Sequence, residues 1–309
     1  MMILDKKIKV IIPVCDENLH VLPILMYMHS KYWTESCFEY HILGFNEPQD
    51  LVFGWNKWFN QWVFHSLDSS QKGGSQSWTK YIANFLKTID DEYIIFALED
   101  FIPTDYLNLD RINEVLSWYN RNNRKPIGRF ELGWDTMMSV EHEIIQNMNG
   151  YDIIEAKQNS MYRISTQTSI WNRKYLIKYM DRRWTPWQFE IDGTIMSTAD
   201  FTHSIIACSD TTNFIKFPAK WVHKGSVSRL QPGKFNVLGM KLDDIKELCD
   251  KKLLIQDNLI MGQWNGYVPS FDELGRFDLD FEKFRNIPSI KQYTNYNWKE
   301  YEGIYRKRV

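Results

Sequence analysis

The stretch Glu92-Tyr93-Ile94-Ile95-Phe96-Ala97-Leu98-Glu99-Asp100 decides the fold, because it is an apolar run that ends abruptly in two acids. A run rich in β-branched and aromatic residues is typical of a strand that is buried on both faces of a sheet. The segment just before it, from about residue 76 to 89, carries apolar residues at a helical period. The sequence therefore predicts a helix followed by a buried strand, with Glu99 and Asp100 at the carboxyl end of that strand.

The rest of the first half alternates in the same way. Strands are predicted at 9–14, 38–45 and 61–67, and a helix at 20–32. This alternation predicts an α/β fold with a mostly parallel central sheet flanked by helices. Ligands bind such sheets at the carboxyl ends of the strands. We expect the polar segments Cys15-Asp16-Glu17, Gly44-Phe45-Asn46 and Glu99-Asp100 to meet at that edge.

The second half of the chain has a less regular pattern. We predict helices at 111–119, 171–180 and 187–199, and strands at 127–132 and 162–170. A charged helix is expected at 242–254, followed by a polar, aromatic stretch without periodicity. We interpret residues 1–235 as the main domain and residues 236–309 as a C-terminal helical or irregular extension.

Composition excludes several classes of protein. The 309 residues include 37 Lys and Arg against 39 Asp and Glu, so the net charge of -2 gives no support to a nucleic-acid partner. No run approaches the roughly 18 apolar residues of a membrane span, so no transmembrane segment is predicted. The four cysteines form no CxxC pair, which is typical of a reduced, cytoplasmic protein. The basic, Tyr-rich end leaves three alternatives open: a peripheral membrane contact, a homo-oligomer contact, or a solvated tail.

Polar residues around the predicted strand ends are candidates for binding a nucleotide. Glu99 and Asp100 are suited to holding Mg²⁺ or Mn²⁺ on a diphosphate, although the same pair fits a strand-end turn or a helix cap. Asp16, which follows Pro13 and Val14, can hydrogen-bond a nucleoside or cap the next helix.

Two further features lie around the helix expected at 76–89. The Gly73-Gly74 pair can admit a phosphate or simply give flexibility, and Lys80 can reach a diphosphate or remain solvated.

The segment Trp184-Thr185-Pro186-Trp187-Gln188-Phe189-Glu190-Ile191-Asp192 places acids beside aromatic rings at a predicted helix start. A carboxylate near such rings can act as a general base. The alternative is that Glu190 and Asp192 only complement the helix dipole. His223, in a later Lys- and Gly-containing segment, can close over a metal-diphosphate or be an ordinary histidine.

The chain resembles GT-A-fold nucleotide-sugar glycosyltransferases, and looks closest to the family-2-like enzymes of bacterial surface-polysaccharide clusters and large viruses. Pro13 and Asp16 are similar to the start of that fold, and residues 78–100 to the helix and strand before its acidic metal motif. Residues 169–176 and 186–190 resemble the acceptor-side segment, where an acid at a helix start is the base. The likeness covers roughly residues 8–226. The family motif is Asp-x-Asp, whereas this chain has Glu99-Asp100-Phe101.

This resemblance implies a glycosyltransferase that moves a sugar from a nucleoside diphosphate sugar to a saccharide or other hydroxyl acceptor, with inversion expected and retention left open. The implied donor-binding residues are Pro13, Val14, Asp16, Asn46, Gly74, Lys80, Glu99 and Asp100. Trp171 and Trp187 are the implied acceptor residues, Glu190 or Asp192 the catalytic base, and Asp100 and His223 the ligands of Mn²⁺ or Mg²⁺. The alternatives are a non-catalytic carbohydrate-binding protein and a nucleotidyltransferase that releases pyrophosphate.

Overall fold

The computed structural model describes most of the N-terminal two thirds of the chain and short pieces beyond it. The described residues are 7–33, 37–46, 62–67, 77–122, 125–133, 141–148, 150–180, 182–208, 235–236, 242–251 and 259–260. The chain divides into two compact units, Met1–Trp221 with Gly239–Lys241, and Val222–Leu238 with Leu242–Val309.

A nine-stranded sheet forms the first unit within the described residues, in the order β3-β2-β1-β4-β8-β5-β9-β7-β6. The strands are β1 Ile8–Pro13, β2 Phe38–Gly44, β3 Trp62–Ser66, β4 Tyr93–Phe96, β5 Ile127–Glu131, β6 His142–Met148, β7 Tyr151–Ala156, β8 Ser169–Asn172 and β9 Ser204–Cys208. Parallel pairing joins β3, β2, β1 and β4, and also β5 and β9. Strands β8 and β7 run in the opposite direction, so the sheet is mixed.

Helices cover both faces of this sheet. They are α1 Leu22–Tyr32, which follows a 3-10 turn at Asp16–Val21, then α2 Trp78–Leu86, α3 Leu109–Arg121, α4 Arg173–Met180 and α5 Pro186–Ser197. Helices α2, α4 and α5 pack with Ile11 and Leu43 in one buried apolar cluster. On the opposite face, His29 of α1 lies against Tyr40 of β2. This burial on two faces explains why the central strands are apolar throughout.

The structure confirms the α/β class and most elements of the first half. Strands β1 to β5 and helices α1 to α3 lie within a few residues of their predicted bounds. Helix α5 begins at Pro186, as the Thr185-Pro186 pair indicates.

Two predictions in the second half were wrong. Residues 162–168 form a turn, bends and irregular backbone instead of a strand. This stretch begins at Tyr162, whose φ of 52° is left-handed backbone. Trp171 and Asn172 belong to β8 and not to a helix, and α4 starts only at Arg173, where the Asn172 side chain accepts a hydrogen bond from the Tyr175 amide. Strands β6, β7 and β9 were not predicted from the sequence.

The second unit is described at three short places. Helix α6 spans Leu242–Asp250, and strands β10 Phe235–Asn236 and β11 Leu259–Ile260 pair in parallel. The predicted division at residue 235 and the contacts expected of the C-terminal extension stay predictions. None of the helices in the described ranges combines the length and the apolar character that a membrane crossing requires.

Candidate functional site

The ends of β1 and β2 bring Asp16 and Asn46 together at the carboxyl edge of the sheet. Pro13 pairs with Leu43, and the Val14 amide extends the ladder by donating to the Leu43 carbonyl at 2.8 Å. Beyond this ladder, the Asp16 carboxylate accepts two hydrogen bonds from Asn46, from its amide at 3.1 Å and its side chain at 2.9 Å. Asp16 therefore joins two neighbouring strand ends, so the segments 15–17 and 44–46 meet as predicted, while the binding role of Asp16 stays a prediction.

The next strand places Glu99 and Asp100 at the same edge. Strand β4 lies beside β1, and the Ala97 amide donates to the Ile11 carbonyl at 3.1 Å. Glu99 is buried and accepts a hydrogen bond from the side chain of Asn18, while Asp100 is partly exposed. Asn18 thus connects the acidic pair to the segment that carries Asp16.

Glu190 reaches this edge from α5. Its Oε1 atom accepts three hydrogen bonds, from Ser165 Oγ at 3.0 Å, the Thr166 amide at 2.7 Å and Thr166 Oγ1 at 2.8 Å. Strand β8 is antiparallel to β4, with Ser169 opposite Phe96, so the residues just before β8 lie where β4 ends. The contacts therefore bring Glu190 to the edge that also carries Glu99.

The alternative that Glu190 only complements the dipole at the start of α5 is wrong. Helix α5 starts in a capping box, in which the Thr185 hydroxyl accepts from the Gln188 amide and the Gln188 side chain accepts from the Thr185 amide. The first turn contains no acid. Glu190 instead fastens α5 to residues 165–166, together with Thr194, whose hydroxyl exchanges two hydrogen bonds with the backbone of Ile164.

A buried ion pair contacts the segment that binds Glu190, at Ser169. This ion pair was not predicted from the sequence. Arg129 and Glu131 of β5 are both fully buried and joined by a salt bridge. Burial lowers the pKa of Arg129, while the carboxylates of Glu131 and Glu190 act in the opposite direction. The sequence carried a signal for this pair. Two opposite charges at alternate positions of an otherwise apolar strand lie on the same face of the sheet and can therefore pair there.

The two candidate acceptor tryptophans differ in exposure. Trp187, in the first turn of α5, is 59% exposed. Trp171 is fully buried, next to Tyr175 and Phe189 and under the Arg129 guanidinium. The prediction that Trp171 binds an acceptor was therefore wrong, because its ring presents no surface to a ligand.

The remaining candidates that the structure describes lie at the end of β1, on α2 and on α5. Pro13 and Val14 are buried at the end of β1, and Lys80 is partly exposed in the first turn of α2. The start of α2 is fastened to the segment before α5, since Thr79 Oγ1 donates to the Arg182 carbonyl at 2.8 Å. Asp192 is partly exposed on α5. Gly74 and His223 lie outside the described residues. No group of three or more His, Cys, Asp or Glu in the described part of the chain is arranged to hold a metal ion.

No protein-family model matches the sequence, and no curated protein matches it. Similar solved structures include GT-A glycosyltransferases. S. aureus TarS has 14% identity and a TM-score of 0.43 over 67% of this chain and 36% of its own. The mannosyltransferase PcManGT from Pyrobaculum calidifontis, in complex with GDP-Man and Mn²⁺, has 8% identity and a TM-score of 0.42 over 71% and 58%. A UDP-glucose pyrophosphorylase complexed with UDP-glucose has 10% identity and a TM-score of 0.38 over 68% and 92%.

The chain spans 36% of TarS and 59% of the TarS fragment 1–349, so it matches only part of these proteins. At such identities and TM-scores the likenesses assign no activity by themselves.

Proposed function

We propose that this protein is a glycosyltransferase that moves a sugar from a nucleoside diphosphate sugar to a saccharide or other hydroxyl acceptor, with inversion at the anomeric carbon. The observation that carries the proposal is the arrangement of acids along one sheet edge. Asp16 is tied to Asn46, Glu99 to Asn18, and Glu190 to Thr166, all at the carboxyl ends of parallel strands or the start of β8. This edge is where open α/β sheets bind nucleotides.

The donor would lie across the ends of β1, β2 and β4. Asp16 and Asn46 would flank the nucleoside, with Pro13 and Val14 beneath it as the end of β1. Lys80, in the first turn of α2, would face the diphosphate, and Gly74 is proposed to approach it from the preceding segment. The support for this placement is the direct hydrogen bonding between Asp16 and Asn46, which preorganises polar groups at the edge.

The acidic pair fits a divalent cation that is shared with the substrate. Carboxylate oxygens are the donors that Mg²⁺ and Mn²⁺ prefer, and Mg²⁺ commonly uses one or two carboxylates plus substrate phosphates. Glu99 is buried whereas Asp100 is partly exposed, so Asp100 is proposed as the ligand, and His223 is proposed as a second. When bound, the cation would neutralise charge that develops on the departing diphosphate.

Glu190 would act as the general base. Its Oε1 atom is occupied by three donors, which leaves Oε2 to accept the proton of the acceptor hydroxyl. The deprotonated oxygen would form a bond to the anomeric carbon as the bond from that carbon to the diphosphate oxygen breaks on the opposite face. The exposed ring of Trp187, three residues before Glu190, would support the acceptor sugar.

Asp192 is less suited to this role. It lies two residues after Glu190, so its side chain leaves the helix about 200° further round. It therefore does not share the contacts of Glu190 with Ser165 and Thr166.

A thermal-shift panel with UDP, GDP, dTDP and CMP, each with and without Mn²⁺, tests donor binding. We expect at least one nucleoside diphosphate to raise the melting temperature, because a ligand that binds only the folded state stabilises it. A flat response across the panel contradicts the proposal. The responding base then selects the nucleotide sugars for product analysis. Release of a nucleoside diphosphate supports a glycosyltransferase, whereas pyrophosphate indicates a nucleotidyltransferase, and tight sugar binding without turnover indicates a carbohydrate-binding protein.

A further inference from the structure

We propose that Arg129 is a positioning residue for Glu190, because it holds residues 162–169 in the conformation that presents Ser165 and Thr166 to the Glu190 carboxylate. The catalytic part of this inference rests on the proposed role of Glu190 as the base. The structural part, that one buried guanidinium sets the conformation of this segment, is independent of that role.

The guanidinium of Arg129 contacts both ends of the segment. Its Nη1 atom donates to the carbonyl oxygens of Tyr162 at 2.9 Å and Arg163 at 3.3 Å, at the beginning of the segment. Its Nε atom donates to Ser169 Oγ at 3.0 Å, at the end of the segment. The remaining nitrogen, Nη2, forms the salt bridge with Glu131. The two residues that hold Glu190 lie between these two anchor points.

The backbone at the first anchor point is strained. Tyr162 has a φ of 52°, a backbone conformation that residues other than glycine rarely adopt. Such a conformation persists only where surrounding contacts enforce it, and strained residues of this kind cluster at functional sites. The hydrogen bond from Arg129 to the Tyr162 carbonyl is a contact that enforces it.

Stability alone is a poor reason for burying this charge. Arg129 and Glu131 are both fully buried, and taking an ion pair out of water costs about as much as the pairing returns. Arg129 donates hydrogen bonds in three directions, and an apolar side chain at this position could make none of them. A guanidinium is suited to this task, because its donors form a rigid planar fork.

The consequence for catalysis is geometric. General-base catalysis requires the base to lie within hydrogen-bond reach of the proton that it removes. Displacement of a catalytic group by about 1 Å costs up to about 100-fold in rate. Loosening of residues 165–166 would release Oε1 of Glu190 and allow the carboxylate to rotate away from the acceptor.

Replacement of Arg129 by lysine tests the proposal, because Arg129→Lys keeps the charge beside Glu131 and removes the fork. We expect the Thr166 amide to exchange its hydrogen at least about tenfold faster, since its bond to Glu190 opens more often. We expect kcat to fall about 10- to 100-fold with little change in the KM of the donor.

Arg173→Lys is the matched control. Arg173 also donates to two backbone carbonyls, but these belong to Asp91, at 2.7 Å, and Leu86, at 2.9 Å, and not to residues 162–169. We expect this variant to lower the melting temperature without changing exchange at Thr166. If Arg129→Lys does not fold, Ser169→Ala serves instead. It removes the acceptor of the Arg129 Nε bond, together with the hydrogen bond that Ser169 Oγ donates to the Gln167 carbonyl.

Unchanged exchange at Thr166 in a folded Arg129→Lys or Ser169→Ala protein overturns the proposal. So does a rise in the KM of the donor with kcat preserved, since that pattern places Arg129 in donor binding. If the parent protein transfers no sugar from any donor, the proposed function fails, while the exchange measurement still decides whether Arg129 holds the segment.

Discussion

Replacement of Glu190 by glutamine or by alanine separates its contacts from its charge. Glutamine keeps a carbonyl oxygen for the donors that now reach Oε1, namely Ser165 Oγ and the amide and hydroxyl of Thr166. Alanine removes the acceptor altogether. The two variants therefore affect the proposed base equally but differ in how they affect the attachment of α5 to residues 165–166.

The magnitudes follow from the number and burial of the donors. Ser165 is 1% exposed and Thr166 8% exposed, so water can replace Glu190 only in part. A buried donor left without an acceptor costs about 1–3 kcal/mol, and with partial rehydration we expect Glu190→Ala to lose about 2–4 kcal/mol. Glu190→Gln exchanges hydrogen bonds to a charged acceptor for bonds to a neutral one and should lose about 1 kcal/mol. At about 2–4 °C for each kcal/mol, the melting temperatures of the two variants should differ clearly.

Activity should not follow stability in this series. Loss of a general base reduces the rate by about 10²- to 10⁴-fold, so Glu190→Gln should be nearly inactive although it is well folded. The assay is release of nucleoside diphosphate from the donor identified by the thermal-shift panel, together with the thermal shift itself, which should be retained. Glu155→Gln is the control. Glu155 also accepts a hydrogen bond, from Ser204, but it belongs to β7, which is separated from β1 by several strands of the sheet. A fully active Glu190→Gln protein would refute the assignment of the base.

Three further predictions concern the nucleoside end, the pH dependence of stability and the packing of β5. Asp16→Ala removes the acceptor of both Asn46 hydrogen bonds, and calorimetry should show nucleotide affinity lowered about tenfold, whereas an unchanged Kd separates Asp16 from the nucleoside. Burial lowers the pKa of His29 to about 3, so its folded form stays neutral while the unfolded chain takes up a proton below about pH 6.5. Urea titrations should therefore show stability falling by at most about 1.4 kcal/mol per pH unit from this group as the pH decreases, and His29→Phe should reduce that slope. In Gly128→Ala the new Cβ would lie 2.7 Å from the Tyr175 ring, so the free energy of unfolding should fall by about 1–3 kcal/mol. A melting temperature equal to that of the parent would contradict this packing.

The parts of the fold that could be predicted from sequence are those in which local pattern and tertiary position agree. The run that ends in Glu99-Asp100 is apolar because β4 is buried on both faces of the sheet. Strand β1 is apolar for the same reason, and the polar residues around Asp16 begin where the chain leaves that strand. The right-handed parallel connection then places successive strand ends on one edge. For this reason the meeting of Asp16 and Asn46 was foreseeable without coordinates.

The misread segment at 162–168 shows where local pattern fails. Its apolar and hydroxyl residues have the composition of a strand, but the backbone turns because distant groups bind it. Arg129, more than thirty positions earlier, donates hydrogen bonds to the carbonyls of Tyr162 and Arg163. The hydroxyl of Thr194 in α5 donates to the carbonyl of Ile164. Tertiary hydrogen bonds of this kind override a propensity worth only about 1 kcal/mol across the whole scale.

The sequence by itself determined the α/β class, the central apolar strands and the candidate acids at their ends, because each depends on a periodic pattern or a residue's place after a strand. Only the tertiary structure decided that Trp171 is buried, that Thr185 and Gln188 cap α5 in place of Glu190, and that Glu190 is bound by Ser165 and Thr166. These outcomes depend on the reversed direction of β8 and on contacts between residues far apart in the chain, which no local spacing encodes.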